Sequence, residues 1–301
     1  MKTRNILYVV ALLGVITLLD SCVDMGPSQH NLDLRDSEKW GKVVEKDIPL
    51  DIFEEIEVWT SAQVRYYQSD SYKVTVVGNE KALGAYVFAV DTMTDTTNHL
   101  RQTLEISRNL PEYRANTPAI LVKVYAPTLT MVDLFNEGEF VIEDSVSFDD
   151  FYLDIHGEGE AKLNAVNAND VTISMVEAGG LSLRKLNAES LSLTVCGSGD
   201  ATIKEANLSD DAVLQTRDAG DINGFFKTGK IYTESTEAGD ITIEVDCKRI
   251  AAHCYGTGNI GIEGKTSVLF KGSDGSGNIK TQHLNADTVE MVERGTYSIN
   301  R

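Results

Sequence analysis

The sequence predicts an all-β protein built as a β-helix-like stack of about 20-residue coils, with a strand-rich N-terminal part continuing the same solenoid. Two observations carry that prediction. From Asp47 onward apolar and polar residues alternate with the period of a strand, and beyond residue 134 a short glycine-centred pattern returns at a near-constant interval.

Ahead of the first strand the chain reads as an export segment. Lys2 and Arg4 precede an apolar run from Ile6 to Leu19, which ends at Leu19-Asp20-Ser21-Cys22. That run of about 14 residues is shorter than the roughly 20 needed to cross a hydrocarbon core of about 30 Å, so a cleaved signal peptide over residues 1–21 fits better than a membrane span. A small residue followed by Cys is similar to a bacterial lipobox, in which the thiol of Cys22 is acylated. Residues 22–44 are polar, contain Gly26 and Pro27, and suit a flexible tether. The expected division is then an N-terminal β region over 45–134 and glycine-cornered repeats over 135–301.

In the N-terminal region Phe53, Ile56, Val58, Val64 and Tyr66 alternate with polar residues, and Lys73 to Val77 ends at Gly78-Asn79. Glu80 to Tyr86 reads as one helical turn. Leu100 to Ser107 and Ala119 to Ala126 read as two more strands, the second closed by Pro127.

The repeat is carried by Gly138, Gly159, Gly179, Gly199, Gly220, Gly239, Gly258 and Gly277, at intervals of 21, 20, 20, 21, 19, 19 and 19 residues. Residues two and four places after the glycine are mostly apolar, as in Leu181 and Leu183 or Ile241 and Ile243, while the intervening ones are polar or small. A second alternating run precedes each glycine, as in Phe151 to Ile155, Val171 to Met175 and Leu191 to Val195. Each coil thus holds at least two short strands that cannot bury an apolar face alone, and stacking coils about 4.8 Å apart solves this by pairing each strand with its copies. Glycine suits the corners because it accepts positive φ or close backbone approach. Phe225-Phe226 interrupts the pattern and reads as a bulge or lid. The competing architecture is a sandwich of short antiparallel strands, which seldom keeps so regular a period.

The run Phe53-Glu54-Glu55-Ile56-Glu57-Val58, the strand Val74 to Asn79, the ending Ala126-Pro127 and the recurring Gly-Asp-Ile and Gly-Asn-Ile corners together resemble the putative auto-transporter adhesin, head GIN domain family, over about residues 47–290. The resemblance implies a right-handed β-helical fold and a secreted or lipid-anchored protein of the Bacteroidetes envelope. The family's name implies adhesion, and the reading that follows is a non-enzymatic lipoprotein of the outer membrane that binds a surface glycan or protein, with a structural or sensory envelope scaffold and a β-helical carbohydrate-active enzyme as the alternatives. Asp24, soon after the anchor, permits surface exposure.

Charge narrows the partners. The chain has 27 basic and 46 acidic residues, and loss of residues 1–21 leaves 25 against 45, a net charge of −20. Such a surface repels nucleic acid and anionic polymers. Besides Cys22 there are Cys196, Cys247 and Cys254, with no CxxC spacing, so no zinc site is read; Cys196 and Cys254 fall on apolar-periodic segments and are expected to be buried, and a disulfide to Cys247 is left open. His30, His99, His156, His253 and His283 form no short-range metal pair and read as surface or turn residues.

The strongest candidate site is the column after the repeat glycines: Glu139 and Glu160, then Asp200, Asp221, Asp240, Asn259 and Asn278, which stacking would align in one outward row. Such a row would take a cation such as Ca²⁺ or the hydroxyls of a glycan. The alternative is that short polar side chains brace the corner through Asx hydrogen bonds. No cofactor is otherwise implied, and no conventional active site is read. A glycosidase needs two carboxylates at a set spacing, which β-helix geometry produces without catalysis, and a polysaccharide lyase needs a basic, cation-lined groove that this acidic chain does not suggest. Trp59, Tyr66, Tyr67, Tyr72 and Tyr86 could form a sugar platform, although their alternation with apolar neighbours favours core packing.

Overall fold

A computed structural model describes residues 37–94, 100–109 and 117–291. The segment read as a signal peptide, Cys22, His30 and His99 lie outside the described residues. The described chain opens with a helical turn, α1 (Ser37–Trp40), and a strand, β1 (Val43–Ile48), both beginning within the stretch read as a tether, and Trp40 is already buried.

Three coils follow, and their order in space differs from their order in sequence. The first comprises β2 (Glu55–Val58) and β3 (Gln63–Gln68). After it come β4 (Lys73–Asn79), the helical turn α2 (Glu80–Leu83) and β5 (Tyr86–Thr94). The next coils are β6 (Leu100–Arg108) with β7 (Leu121–Ala126), and β8 (Met131–Asn136) with β9 (Glu139–Ser147). Pairing inserts β2 and β3 between these two: Ile56 aligns with Leu104 on one side and Val132 on the other, and Val64 aligns with Val122 and with Phe140. β4 runs antiparallel to β7 and carries β1 antiparallel on its outer edge, while β5 runs antiparallel to β6. These strands cover the N-terminal end of the stack, where an open parallel edge would template pairing with another chain. The expected turn after Gly78-Asn79 and the two expected strands are present as α2, β6 and β7. Coil order and the antiparallel cover were not expected, because strand patterning names which face is buried and not which strand lies beside it.

The remaining strands are β10 (Phe151–Gly157), β11 (Glu160–Asn167), β12 (Asp170–Glu177), β13 (Gly180–Gly197), β14 (Asp200–Thr216), β15 (Ile222–Ser235), β16 (Ile241–Cys254), β17 (Ile260–Ser273), β18 (Ile279–Lys280) and β19 (Leu284–Met291). All pair in parallel one coil on, so that Leu163, Leu183 and Ile203 share one inward column and Ile173, Leu193 and Leu214 another. In β14 the inward residues define three sides: Ala201 and Ile203, then Ala206 and Leu208, then Ala212 and Leu214, all buried. One apolar core runs without a break from Phe53 to Leu269, joining the N-terminal coils to the repeats. Each fully buried Leu, Ile or Phe in it contributes about 1.5–3 kcal/mol by leaving water. The fold is a β-solenoid of about 20-residue coils.

The corner glycines are required by close approach and not by φ, since the positive-φ glycines are Gly41, Gly157, Gly197 and Gly264. A Cβ on Gly258 would lie 2.2 Å from the carbonyl oxygen of Gly239, one coil below, a distance no carbon and oxygen tolerate. Beneath these corners a column of inward hydroxyls and one thiol closes the turn. Ser235 Oγ donates to the carbonyl of Gly239 at 2.8 Å, Cys254 Sγ to Gly258 at 3.0 Å and Ser273 Oγ to Gly277 at 3.1 Å.

Phe225-Phe226 is a bulge and not a lid. The register slips between Ile203 and Ala206 against β15, Gly224 takes the place of an inward apolar residue, and the fully buried Phe226 ring fills the space its missing side chain leaves. Cys254 is buried as expected, whereas Cys196 is only half-buried, because it sits on an outward column aligned with Val176. Cys196, Cys247 and Cys254 are all free thiols.

Candidate functional site

The outward face of the side that precedes the glycine corner differs sharply between the first coils and the later ones. In β2, β8 and β10 the residues Ile56, Val132 and Leu153 point inward in register, as do Val58, Leu134 and Ile155. The pleat therefore sends Glu57, Asp133 and Asp154 outward as one column. Trp59, Phe135 and His156 follow two residues later as the next. The Trp59 and Phe135 rings stack with centroids 3.7 Å apart at 6°, and Phe135 and His156 stack at 5.0 Å and 9°. Trp59 remains 44% exposed although it is the largest side chain of the column. Its Nε1 donates to Glu57 at 3.0 Å, and Asn136 Nδ2 donates to its carbonyl oxygen at 3.2 Å, which together fix the ring's attitude.

Acids border this aromatic column on both sides. Within the first border Asp133 is held well above the ordinary carboxylate range, at about 7, chiefly by burial and then by repulsion from Asp154, Glu57 and Glu55, against the opposing pull of Arg101. Its Oδ1 is buried with no hydrogen-bond partner. Burial also raises Asp154, with His156 opposing. Glu55 is satisfied by Arg101 Nε at 2.5 Å and Thr103 Oγ1 at 2.7 Å. Across the rings a cleft of about 430 Å³ runs over Asn136 and Gly157 and is walled by Glu137, Glu158 and Glu177. Asn136, Gly157 and Glu177 all take the left-handed conformation there, with φ of 63°, 105° and 77°, so the corner is sharp, with Glu177 on it and Glu137 and Glu158 immediately after it.

The column predicted from sequence is present as a hydrogen-bonded ladder. Asp200 Oδ1 accepts the backbone N–H of Asp221 at 3.2 Å, Asp221 that of Asp240 at 2.8 Å, Asp240 that of Asn259 at 2.6 Å and Asn259 that of Asn278 at 3.4 Å. Asp240 also accepts from Asn259 Nδ2 at 3.2 Å. One oxygen of each rung is thereby spent on the coil above. Lower in the same column Lys162 bridges Glu139 at 2.8 Å and Glu160 at 2.6 Å. Among the described residues no group of three His, Cys, Asp or Glu is placed to hold a metal ion. A second ladder was missed: Asn187 Nδ2 donates to Asn167 at 2.8 Å and Asn207 Nδ2 to Asn187 at 3.3 Å, and its 20-residue spacing was there to be read.

Of the aromatic residues singled out from sequence, Tyr66 and Tyr86 are core residues whose hydroxyls donate to the carbonyls of Ala126 at 2.8 Å and Pro118 at 3.1 Å, and Tyr72 packs edge-on against Phe53. Trp59 and Tyr67 point outward, the latter stacked on Tyr125. His156 is an outward ring as expected, but His253 is buried at 4% exposure between Tyr232 and Tyr255, because outward tyrosines on neighbouring columns lean over it.

Fold and surface together define a β-solenoid with an aromatic and acidic outward face on its first coils. The putative auto-transporter adhesin, head GIN domain family matches residues 52–225 and 207–300, and the chain belongs to that family. No curated protein matches it. Among solved structures, a putative adhesin from Parabacteroides merdae is 19% identical with a TM-score of 0.66, over 84% of this chain and 97% of that one. A putative lipid binding protein from Parabacteroides distasonis is 18% identical with a TM-score of 0.63, over 84% and 98%. A putative adhesin from the same species is 17% identical with a TM-score of 0.60, over 83% and 97%. At these identities the likeness is one of fold.

Proposed function

We propose that the chain is a non-enzymatic adhesion module of the cell envelope. It is exported by residues 1–21, held at the outer membrane through acylated Cys22, set off by a tether, and binds a surface glycan or protein through the face centred on Trp59. One observation carries this reading: a large, exposed indole is stacked and oriented on the surface by Phe135, Asn136 and Glu57, where burial would otherwise be worth more. Family membership and the likeness to two putative adhesins of known structure support it. Capture of the full chain on arrays of glycans and immobilised envelope or host proteins tests it: a positive spot weakened at least about tenfold by Trp59→Ala supports the reading, and unchanged capture refutes the face.

A carbohydrate-active enzyme is the second reading, favoured by one carboxyl, Asp133, that keeps its proton near neutral pH beside Asp154. Release of reducing ends from an oligosaccharide, abolished by Asp133→Asn, would establish it in place of simple adhesion.

A further inference from the structure

The acids around Trp59 are treated differently from those elsewhere on the solenoid. Several outward acids of other coils are answered, some by a basic side chain, as Glu143 with Arg65 at 3.2 Å, Asp210 with Lys230 at 3.3 Å, Asp246 with Lys265 at 3.2 Å, and Glu139 and Glu160 with Lys162, and others, Asp200, Asp221 and Asp240, by a backbone N–H of the next coil. Around the rings, Glu57, Asp133 and Asp154 on one side and Glu137, Glu158 and Glu177 on the other form no ion pair among the described residues, and neither Lys nor Arg lines the cleft. Charge of one sign is concentrated there although the chain spends lysines to balance it on neighbouring coils.

We propose that this cleft takes a cationic side chain, the ammonium of lysine or the guanidinium of arginine, presented by a basic segment of a partner protein. Two features beyond the acids point the same way. The indole face of Trp59 is the strongest aromatic partner for a cation, and it is exposed at the edge of the stack. The cleft, about 430 Å³, is large enough for an alkylammonium or guanidinium with its stem. A uronate or sulfated glycan would meet uncompensated repulsion on both sides of the rings. A neutral sugar could stack on the indole, but would leave the carboxylate charges unpaired and displace their water. A cation pairs with several at once, an attraction that persists even at the dielectric of water.

The inference rests on the adhesion face proposed above and specifies its ligand class. The full chain has two tryptophans, Trp59 and the buried Trp40, so its indole N–H region in a proton–nitrogen correlation spectrum holds two side-chain signals and the Trp40 signal reports an intact fold. Titrations with an oligolysine peptide, a neutral gluco-oligosaccharide and an oligogalacturonate are compared. Oligolysine is expected to move the Trp59 signal saturably, at least about tenfold more tightly than either saccharide, and to weaken as salt rises. Glu158→Gln with Glu177→Gln, which leaves the rings in place, is expected to weaken it about tenfold. Equal or tighter binding of a saccharide overturns the cation assignment and leaves the adhesion face standing. If no probe moves Trp59 while the chain still captures its array partners, the face itself is wrong and both proposals fall.

Discussion

The two halves of the solenoid solve the same stacking problem with different surfaces. In the later coils, β13 to β17, nearly every polar group near a corner is answered by the coil above or below: Asp to backbone N–H along the outer ladder, Asn to Asn along the second, hydroxyl or thiol to the corner carbonyl beneath. In the first coils, β2, β8 and β10, the corresponding surface carries stacked rings, acids without an ion-pair partner among the described residues, a buried carboxylate oxygen without a partner and a left-handed corner that Asn136 and Glu177 share with Gly157. Regularity marks the half whose side chains are occupied in holding the stack together. Departure from it marks the half whose side chains are left for something else.

That contrast can be broken or sharpened by substitution. The largest effect is expected from Phe226→Ala, which empties the space that its ring fills beside Gly224; unfolding in denaturant should show a loss of about 3–5 kcal/mol. Next, Gly258→Ala should cost about 3 kcal/mol, because its Cβ would meet the Gly239 carbonyl at 2.2 Å, while Gly261→Ala in the same coil, with nothing nearer than 3.8 Å, should lie within about 0.5 kcal/mol of wild type. Equal effects at both glycines would mean that the corners do not depend on close approach. Asp240→Ala strips the acceptor from two donors of Asn259 and should cost about 1–2 kcal/mol, with Asp240→Asn recovering most of it.

The smallest effect belongs to the acid column and has a pH signature. Asp133 holds its proton in the folded state up to about pH 7, whereas in the unfolded chain it releases it near the ordinary aspartate value of 3.8. Folding is therefore favoured most below about pH 4, and this contribution is lost as pH rises from there to about 7. Asp133→Asn should remove that slope, leaving stability unchanged at pH 4 and raising it by on the order of 1 kcal/mol at pH 8, a figure reduced for the group's partial contact with solvent. A variant whose stability falls in parallel with wild type across this window would place the repulsion elsewhere.

The fold was legible in the sequence wherever the coil is regular. The spacing of Gly199, Gly220, Gly239, Gly258 and Gly277 carries the stacking, and the residues from Asp200 to Asn278 lie one above another in it. What spacing could not supply was the use each oxygen is put to, since a ligand-facing carboxylate and one accepting an N–H from the next coil look alike in sequence. Half of the aromatic face was readable. Phe135 and His156 sit three residues before Gly138 and Gly159, and Asp133 and Asp154 sit five before them, so both pairs share a repeat position. Trp59 was singled out, but its place beside Phe135, like that of Glu57 beside Asp133, was not readable, because both belong to the strand threaded between β6 and β8, 76 residues before those neighbours, a displacement that no local period encodes.

The most direct test of this division sets one substitution from each half side by side on the same panel of immobilised glycans and proteins, after both variants are shown to be folded. Trp59→Ala is expected to weaken capture at least about tenfold, about 1.4 kcal/mol, and Asp240→Ala no more than about twofold. Loss of capture in Asp240→Ala with Trp59→Ala binding as wild type would contradict the account, and would place the adhesive surface on the ladder.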